Sequence, residues 1–308
     1  MVRPGIGPGI GNGNGNDQTR SVADTRNDRN RVFADAADEQ LLQFAESHPR
    51  LFVLTGAGCS TASGLGDYRD RQGQWKRRQP ISGQVFISDE AARRRYWARS
   101  SVGWPSFSKA EPNAAHHALA AMQLAGRLAL LVTQNVDRLH QKAGHRNVVD
   151  LHGALDSVSC VDCRHSLSRD TFQALLLEAN PWLHSLTAAH APDGDADLEL
   201  EDLACMQVPV CSLCAGLLKP DVVFFGENVC RKKLQHAMQA LAMADALLVA
   251  GSSLMVYSGF RFCREAQKLG RPIVIINDGL TRADSLASLK VSGECGRRLS
   301  TLAANLRD

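Results

Sequence analysis

No stretch of this 308-residue chain stays apolar for the roughly 20 residues that a membrane-spanning helix requires. Basic residues exceed acidic ones by only three, 35 against 32, too small an excess for attachment to nucleic acid. Local clusters such as "KRR" (76–78) and "RKK" (231–233) read as solvated faces. The sequence shows no internal repeat and no apolar core of a secretory signal. Asp17, Asp24 and Asp28 interleave with the N-terminal arginines and argue against a transit peptide. The expectation is a cytoplasmic protein with neither membrane nor nucleic acid as partner. The abundance of arginine and alanine hints at a GC-rich coding sequence and a bacterial source; a mitochondrial setting would apply only to a eukaryotic one. Residues 1–32, beginning "MVRPGIGPGIGNGNGN", lack periodicity and are expected to form a disordered Gly/Pro-rich tail.

What is present reads as an ordinary globular composition, 44% hydrophobic and 22% charged. Nine cysteines without a signal peptide do not suggest a disulfide framework. Four of them form two pairs, "CVDC" (Cys160, Cys163) and "CSLC" (Cys211, Cys214). Either pair alone could be a redox motif. Together they can offer four thiolates in a tetrahedron around one Zn²⁺, a closed and therefore structural site. Cys59, Cys205, Cys230, Cys263 and Cys295 remain as small packing residues.

Apolar runs recur at spacings that suit alternating strands and helices: 51–58, 128–135, 148–153, 221–227, 246–253 and 272–278. "VVFF", "ALLVA" and "IVII" are continuous, as for strands buried on both faces of a parallel sheet. "AHHALAAMQLAG" (115–126) and "RKKLQHAMQALAMA" (231–244) predict helices between them. The expected fold is α/β: a doubly wound parallel, Rossmann-like sheet with a second, smaller zinc-binding domain. Residues 33–66, 115–155 and 219–308 are assigned to the Rossmann-like domain. Residues 67–114 and 156–218 are assigned to the small domain, as a helical segment plus the Cys₄ module.

The first predicted strand runs into Gly56, Ala57, Gly58 and Ser60, a turn able to bring main-chain N–H groups to a pyrophosphate. The spacing is not Gly-x-Gly-x-x-Gly, and no acidic residue ends a second strand about twenty residues on. A plain strand-to-helix turn is the competing reading. "TQNVDRLH" (133–140) then places Gln134, Asn135 and Asp137 directly after a strand, and "DLHG" (150–153) does the same with His152. "GSS" (251–253) and "NDG" (277–279) follow two more. Polar or small residues at so many strand ends suggest one extended ligand lying across the sheet edge.

These motifs keep the order found in the sirtuins. "GAGCS", "GLGDYRD" (64–70), "TQNVDRLH", "HG", the cysteine pairs, "KPDVVFFGE" (219–227), "GSSL" and "NDG" together resemble that Sir2 family of NAD-consuming protein deacylases. The resemblance covers about residues 40–305. "RYWARSSVGWPSF" (95–107), "APDGD" (191–195) and "VYSGFRF" (256–262) look like its class II branch, the group that contains sirtuin 4. The resemblance implies NAD⁺ as co-substrate and one structural Zn²⁺ per chain on Cys160, Cys163, Cys211 and Cys214. Gly56, Ala57, Gly58 and Ser60 would hold phosphate and ribose, and Asp67, Tyr68 and Arg69 would belong to a mobile cofactor loop. Gln134, Asn135 and Asp137 would meet the nicotinamide ribose and carboxamide, the latter two with a catalytic part. Gly251, Ser252, Ser253, Asn277 and Gly279 would take the adenosine half, with Cys295 at the adenine end. His152 matches the general base.

Two departures stand out. Gly64-Leu65-Gly66-Asp67 replaces the family's Gly-Ile-Pro-Asp, and glycine for proline adds up to about 1 kcal/mol of ordering entropy, which bears on cofactor affinity. Trp75 stands where a tyrosine is common. The implied reaction moves an acyl group from lysine to ADP-ribose with release of nicotinamide. Mono-ADP-ribosyl transfer to protein, and removal of longer or lipoyl-like acyl groups, are the alternatives. A nicotinamide dehydrogenase is disfavoured by the missing fingerprint. The acyl-lysine protein substrate is expected as an added β-strand held by Val223, Phe224, Phe225, Gly226, Glu227, Val256 and Tyr257. Arg77 and Arg78 read as a solvated loop within possible reach of an anionic acyl group.

Overall fold

Five residues, Leu51–Thr55, form a strand (β1) buried along its whole length, and two further strands of equal burial, β9 (Ala246–Ala250) and β10 (Ile273–Ile276), follow late in the chain. With β2 (Leu128–Thr133), β3 (Val148–Asp150) and β11 (Leu289–Val291) they make a six-stranded sheet, order β11-β10-β9-β1-β2-β3, with every pairing parallel. The structure is a computed structural model that describes residues 33, 35–76, 80–186, 189–190, 196–197 and 203–306. The expected tail 1–32, Arg77 and Arg78, and the "APDGD" motif lie outside the described residues. No helix among the described residues is long and apolar enough to cross a membrane.

Continuous apolar strands need a cover on both faces, and the helices provide it. Val53, Leu131, Leu248 and Val274 point to one face. There they pack against α1 (Ala36–Ser47), α4 (Ala114–Leu124) and α9 (Cys295–Asn305) through Leu41, Leu42, Leu119, Met122, Leu299 and Leu302. Phe52, Leu54, Leu130, Leu247, Val249 and Ile275 point to the other. They meet α7 (Arg231–Met243) and α8 (Tyr257–Lys268) through Ala237, Leu241, Phe262, Cys263 and Ala266. Burying each large aliphatic side chain contributes about 1.5–3 kcal/mol before chain entropy is subtracted. The architecture is the expected doubly wound α/β sheet.

The second module has its own core. α2 (Gly83–Ser88), α3 (Glu90–Phe107) and α6 (Arg169–Ala179) bring Phe86, Trp97, Phe172 and Leu176 onto Val158 and Leu218. Those last two belong to a three-stranded sheet, β4 (Gly153–Cys160), β5 (Ser166–Ser168) and β8 (Leu218–Val222), order β5-β4-β8. Two-residue strands β6 (Ala189–His190) and β7 (Ala196–Asp197) pair with each other, and the short helix α5 (Leu139–Lys142) follows β2.

One expectation is corrected here. The 221–227 run was expected as a strand buried on both faces of the parallel sheet. Instead β8 ends at Val222, pairs antiparallel with β4, and buries only alternate residues. Apolar continuity was misleading: Val223–Glu227 leaves the sheet and lines a cleft, so its apolar side chains serve a wall rather than a layer.

Candidate active site

The parallel sheet switches direction of winding at β1, and the carboxyl ends of β1 and β9 meet there without side chains between them. Gly58 N–H donates to the Gly251 carbonyl at 2.8 Å, and Gly56 N–H to the Ala250 carbonyl at 3.1 Å. Gly251 has φ +62°, and a Cβ on it would lie 2.4 Å from the Cys59 nitrogen. Only glycine permits that approach. The chain then runs through a 3₁₀ turn, Ala57–Cys59, whose first N–H groups have no side-chain cap.

The loop is fastened to the end of β2. Asn135 donates to the Gly56 carbonyl at 3.1 Å and to Ser60 Oγ at 3.0 Å. Ser60 Oγ in turn donates to Asp137 Oδ2 at 2.7 Å. Gln134 Nε2 reaches Ser252 Oγ at 2.8 Å and the Thr55 carbonyl at 3.2 Å, which ties β2 to β9 across β1. Burial raises the Asp137 carboxyl above its ordinary value, against the hydrogen bonds from Leu139 N–H and Ser60.

His152 follows β3 and is oriented at both ring nitrogens. Nδ1 lies 2.9 Å from the Gln134 carbonyl, and a carbonyl only accepts, so Nδ1 carries the proton. Nε2 therefore holds the lone pair, and the Ser258 hydroxyl donates to it at 2.7 Å. Burial holds the imidazole below its usual pKa, which keeps it neutral at pH 7. Its backbone is set by Val223 N–H donating to the His152 carbonyl at 2.8 Å. The next residue, Gly153, has φ +80° and no room for a Cβ against the Asp221 carbonyl.

The glycine turn, Gln134, Asn135, Asp137, His152, Ser252 and Ser258 line one cleft of about 1590 Å³. Every residue expected for cofactor, catalysis or substrate lies on its wall: Gly56, Ala57, Gly58, Ser60, Asp67, Tyr68, Arg69, Gln134, Asn135, Asp137, His152, Val223–Glu227, Gly251, Ser252, Ser253, Val256, Tyr257, Asn277, Gly279 and Cys295. Most of the 67–76 loop lines the same cleft. Arg69 stacks on Trp75 with its guanidinium carbon 3.9 Å from the ring centroid, and Trp75 meets Phe225 at 5.7 Å. The Leu280 N–H donates to the Arg71 carbonyl at 2.8 Å, so the same loop rests on the "NDG" turn.

Ser258, Leu65 and Arg71 also line the cleft and were not singled out from sequence. "VYSG" held the only signal for Ser258. No local pattern shows that its hydroxyl faces an imidazole 106 positions earlier.

The four knuckle cysteines converge as expected. All four sulfurs lie within 4.8 Å of one another, with Cys160 Sγ to Cys214 Sγ at 3.5 Å and Cys163 Sγ to Cys211 Sγ at 3.6 Å. A tetrahedron with Zn–S bonds of about 2.3 Å puts sulfurs about 3.8 Å apart, so the donor set fits zinc. Gly216 makes the knuckles possible, since a Cβ there would lie 2.8 Å from Cys160 Sγ.

The Sir2 family model matches residues 56–258. The chain belongs to the Sir2 family. It is 57% identical over 270 residues to the NAD-dependent protein deacetylase of Xanthomonas axonopodis pv. citri, covering 87% of this chain and 92% of that one. It is 44% identical to the NAD-dependent protein deacylase Sirt4 of Drosophila melanogaster, covering 84% of each. Among solved structures it resembles a Sir2 homologue in complex with NAD, with TM-score 0.67, 30% identity and coverage of 90% and 95%. A Sir2–p53 peptide–NAD⁺ complex matches with TM-score 0.67 and 29% identity, covering 85% and 95%.

Proposed function

We propose that this Sir2 family protein is an NAD-dependent protein-lysine deacylase in which His152 is the general base. The observation that carries the reading is the His152 ring: Nδ1–H committed to Gln134, Nε2 turned to the cleft with its lone pair, and the glycine turn on a wall of the same cleft. The relatives named as deacetylases and the peptide-bound Sir2 structure support the reaction class.

NAD⁺ is consumed rather than reduced. Its nicotinamide is cationic and leaves the anomeric carbon as a neutral base, while the acyl-lysine carbonyl oxygen bonds to that carbon. Holding the two in line supplies much of the acceleration, up to about 7–11 kcal/mol for well-oriented groups. His152 Nε2 then takes the proton of a ribose hydroxyl, whose oxygen attacks the captured acyl carbon. Water completes the transfer, giving lysine and acyl-ADP-ribose. In this reading Asn135, Ser60 and Asp137 hold the glycine turn in register with β2. The Trp75–Phe225 contact puts apolar surface on the cleft wall.

The peptide is proposed to add as a strand between 224–228 and 256–259. Val256 and Tyr257 are 36% and 47% exposed, and Phe225 and Glu227 line the same cleft. Zinc would be held by Cys160, Cys163, Cys211 and Cys214, and its chemistry there is structural. Relatives from Xanthomonas and Bradyrhizobium support a bacterial, cytoplasmic setting. The test presents a panel of acyl-lysine peptides with NAD⁺ and follows nicotinamide and acyl-ADP-ribose by mass. Stoichiometric acyl-ADP-ribose supports deacylation. Nicotinamide release with ADP-ribose left on protein, and no acyl product, would replace it with ADP-ribosyl transfer.

A further inference from the structure

We propose that Ser258 is a positioning residue for His152: its hydroxyl occupies the Nε2 lone pair in the ligand-free enzyme and yields it to the ribose hydroxyl when the substrates bind. The proposal rests on His152 being the base. The contact is 2.7 Å long, and its direction follows from the other side of the ring, where the Gln134 carbonyl requires the proton on Nδ1. A hydroxyl facing an imidazole lone pair donates.

The placement is built rather than incidental. Ser258 stands in the first turn of α8, yet the helix does not use its hydroxyl: the N-terminus of α8 carries no side-chain cap. The next residue, Gly259, lies so close to Gln134 that a Cβ would be 2.4 Å from its Oε1. Gln134 is itself fixed by Ser252 and Thr55. A closed circuit results, in which Gln134 holds one nitrogen of His152 and also abuts the turn that supplies the hydroxyl to the other. The imidazole cannot flip without breaking both hydrogen bonds, nor exchange tautomer without losing the one to the Gln134 carbonyl, because the Ser258 hydroxyl could accept but a carbonyl cannot donate.

A ribose hydroxyl that is to lose its proton to Nε2 must take up the position of a donor to that nitrogen. Ser258 already stands in that role, so it keeps the lone pair aimed and neutral until the ligand replaces it. Charged or titratable side chains on the wall of the cleft that holds His152 include Asp137 after β2, Asp67 and Arg69 on the loop before α2, Glu227 after β8, and Tyr257 and Arg261 on α8. The imidazole's own basicity is set by burial and by the Gln134 carbonyl. Donation from Ser258 stabilises the neutral ring, so removing it raises the pKa.

The test uses the full chain with isotope-labelled histidine, the His152 signal being assigned by its loss in His152→Asn. Wild type is expected to show the Nδ1–H tautomer. In Ser258→Ala the His152 pKa should rise by about half a unit to one unit, the size of one neutral hydrogen bond. The acidic limb of kcat/KM for NAD⁺ should move up with it. The limb of kcat, which reports the substrate-bound enzyme, should stay in place. Ser258→Thr should restore the wild-type titration. Ser258→Cys, which keeps the volume and donates weakly, should show the same shift if the alanine variant folds poorly. A His152 titration that is unchanged in well-folded Ser258→Ala or Ser258→Cys overturns the proposal. A large loss of kcat with no shift of either limb also overturns it, in favour of a proton relay through Ser258. If the shift appears but His152→Ala still makes acyl-ADP-ribose, the contact stands and the base reading fails.

Discussion

Acidification from pH 7 to pH 5 is expected to destabilise the protein by about 4 kcal/mol through two buried imidazoles. His116 and His145 flank His140, with ring centroids 4.8 and 5.5 Å from it, and the three are 0%, 5% and 1% exposed in that order. Thr55 Oγ1 meets His140 Nε2 at 2.9 Å, and Asn113 N–H donates to His116 Nδ1 at 3.2 Å. Among the described residues His116 Nε2, His140 Nδ1 and both nitrogens of His145 have no partner. Burial, followed by the nearby His117 and His145, holds His116 down to about 4. Burial alone holds His145 down to about 4. His140 is pushed well below its usual value by burial and then by the two flanking rings.

In the unfolded chain an imidazole titrates near 6.5. Between pH 6.5 and about 4 the unfolded state therefore binds more protons, and stability is lost as the pH falls. pH 5 lies about 1.5 units below the unfolded pKa and still above the folded value of about 4, so each of His116 and His145 costs about 2 kcal/mol there. For a chain of this size the sum lowers Tm by about 10 °C. The raised carboxyl of Asp137 opposes this trend, so the decisive comparison is between wild type and His145→Phe. That variant should lose about 2 kcal/mol less between pH 7 and pH 5 in urea unfolding with zinc present. Equal pH slopes for the two proteins would refute the reasoning.

Three other outcomes follow from the structure. Gly251→Ala should raise the KM for NAD⁺ at least tenfold and lower Tm, because the new Cβ meets the Cys59 nitrogen at 2.4 Å; unchanged NAD⁺ affinity by calorimetry would contradict it. Arg138 holds φ +63° beside its ion pairs to Asp150 and Asp156. Arg138→Ala and Arg138→Gly lose the same pairs, but only glycine relieves the backbone, so Gly should be the more stable by about 1 kcal/mol in chemical denaturation. A chelator should remove one zinc per chain, expose the 156–218 segment to limited proteolysis and abolish activity. Activity persisting after measured zinc loss would show the module to be dispensable.

Much of the site was legible because the chemistry sits where the sequence period breaks. Thr55, Thr133, Ala250 and Ile276 end buried strands, and the residues immediately after them are those that meet in the cleft. The cysteine pairs were equally readable, since two tight knuckles carry their own spacing. The 221–227 run was misread because an apolar sequence has the same appearance on a cleft wall as in a sheet. The histidine cluster was invisible for another reason. "AHHAL" shows a helix and "DRLH" shows a motif, but nothing local brings His116 and His140 to ring contact. Arg138 was likewise unreadable, because an arginine in a left-handed conformation has no sequence mark until Asp150 and Asp156 fold beside it.

His152→Ala tests the central claim most directly when two products are followed in one assay: labelled nicotinamide exchanged into NAD⁺, and acyl-ADP-ribose. Departure of nicotinamide needs the in-line geometry, whereas attack by the ribose hydroxyl needs the base. The account predicts that acyl-ADP-ribose formation falls at least a hundredfold, within the range of about 10²–10⁴ for a general base, while exchange falls less than tenfold. Acyl-ADP-ribose formed at the wild-type rate, or both products lost equally in a well-folded variant, would contradict it.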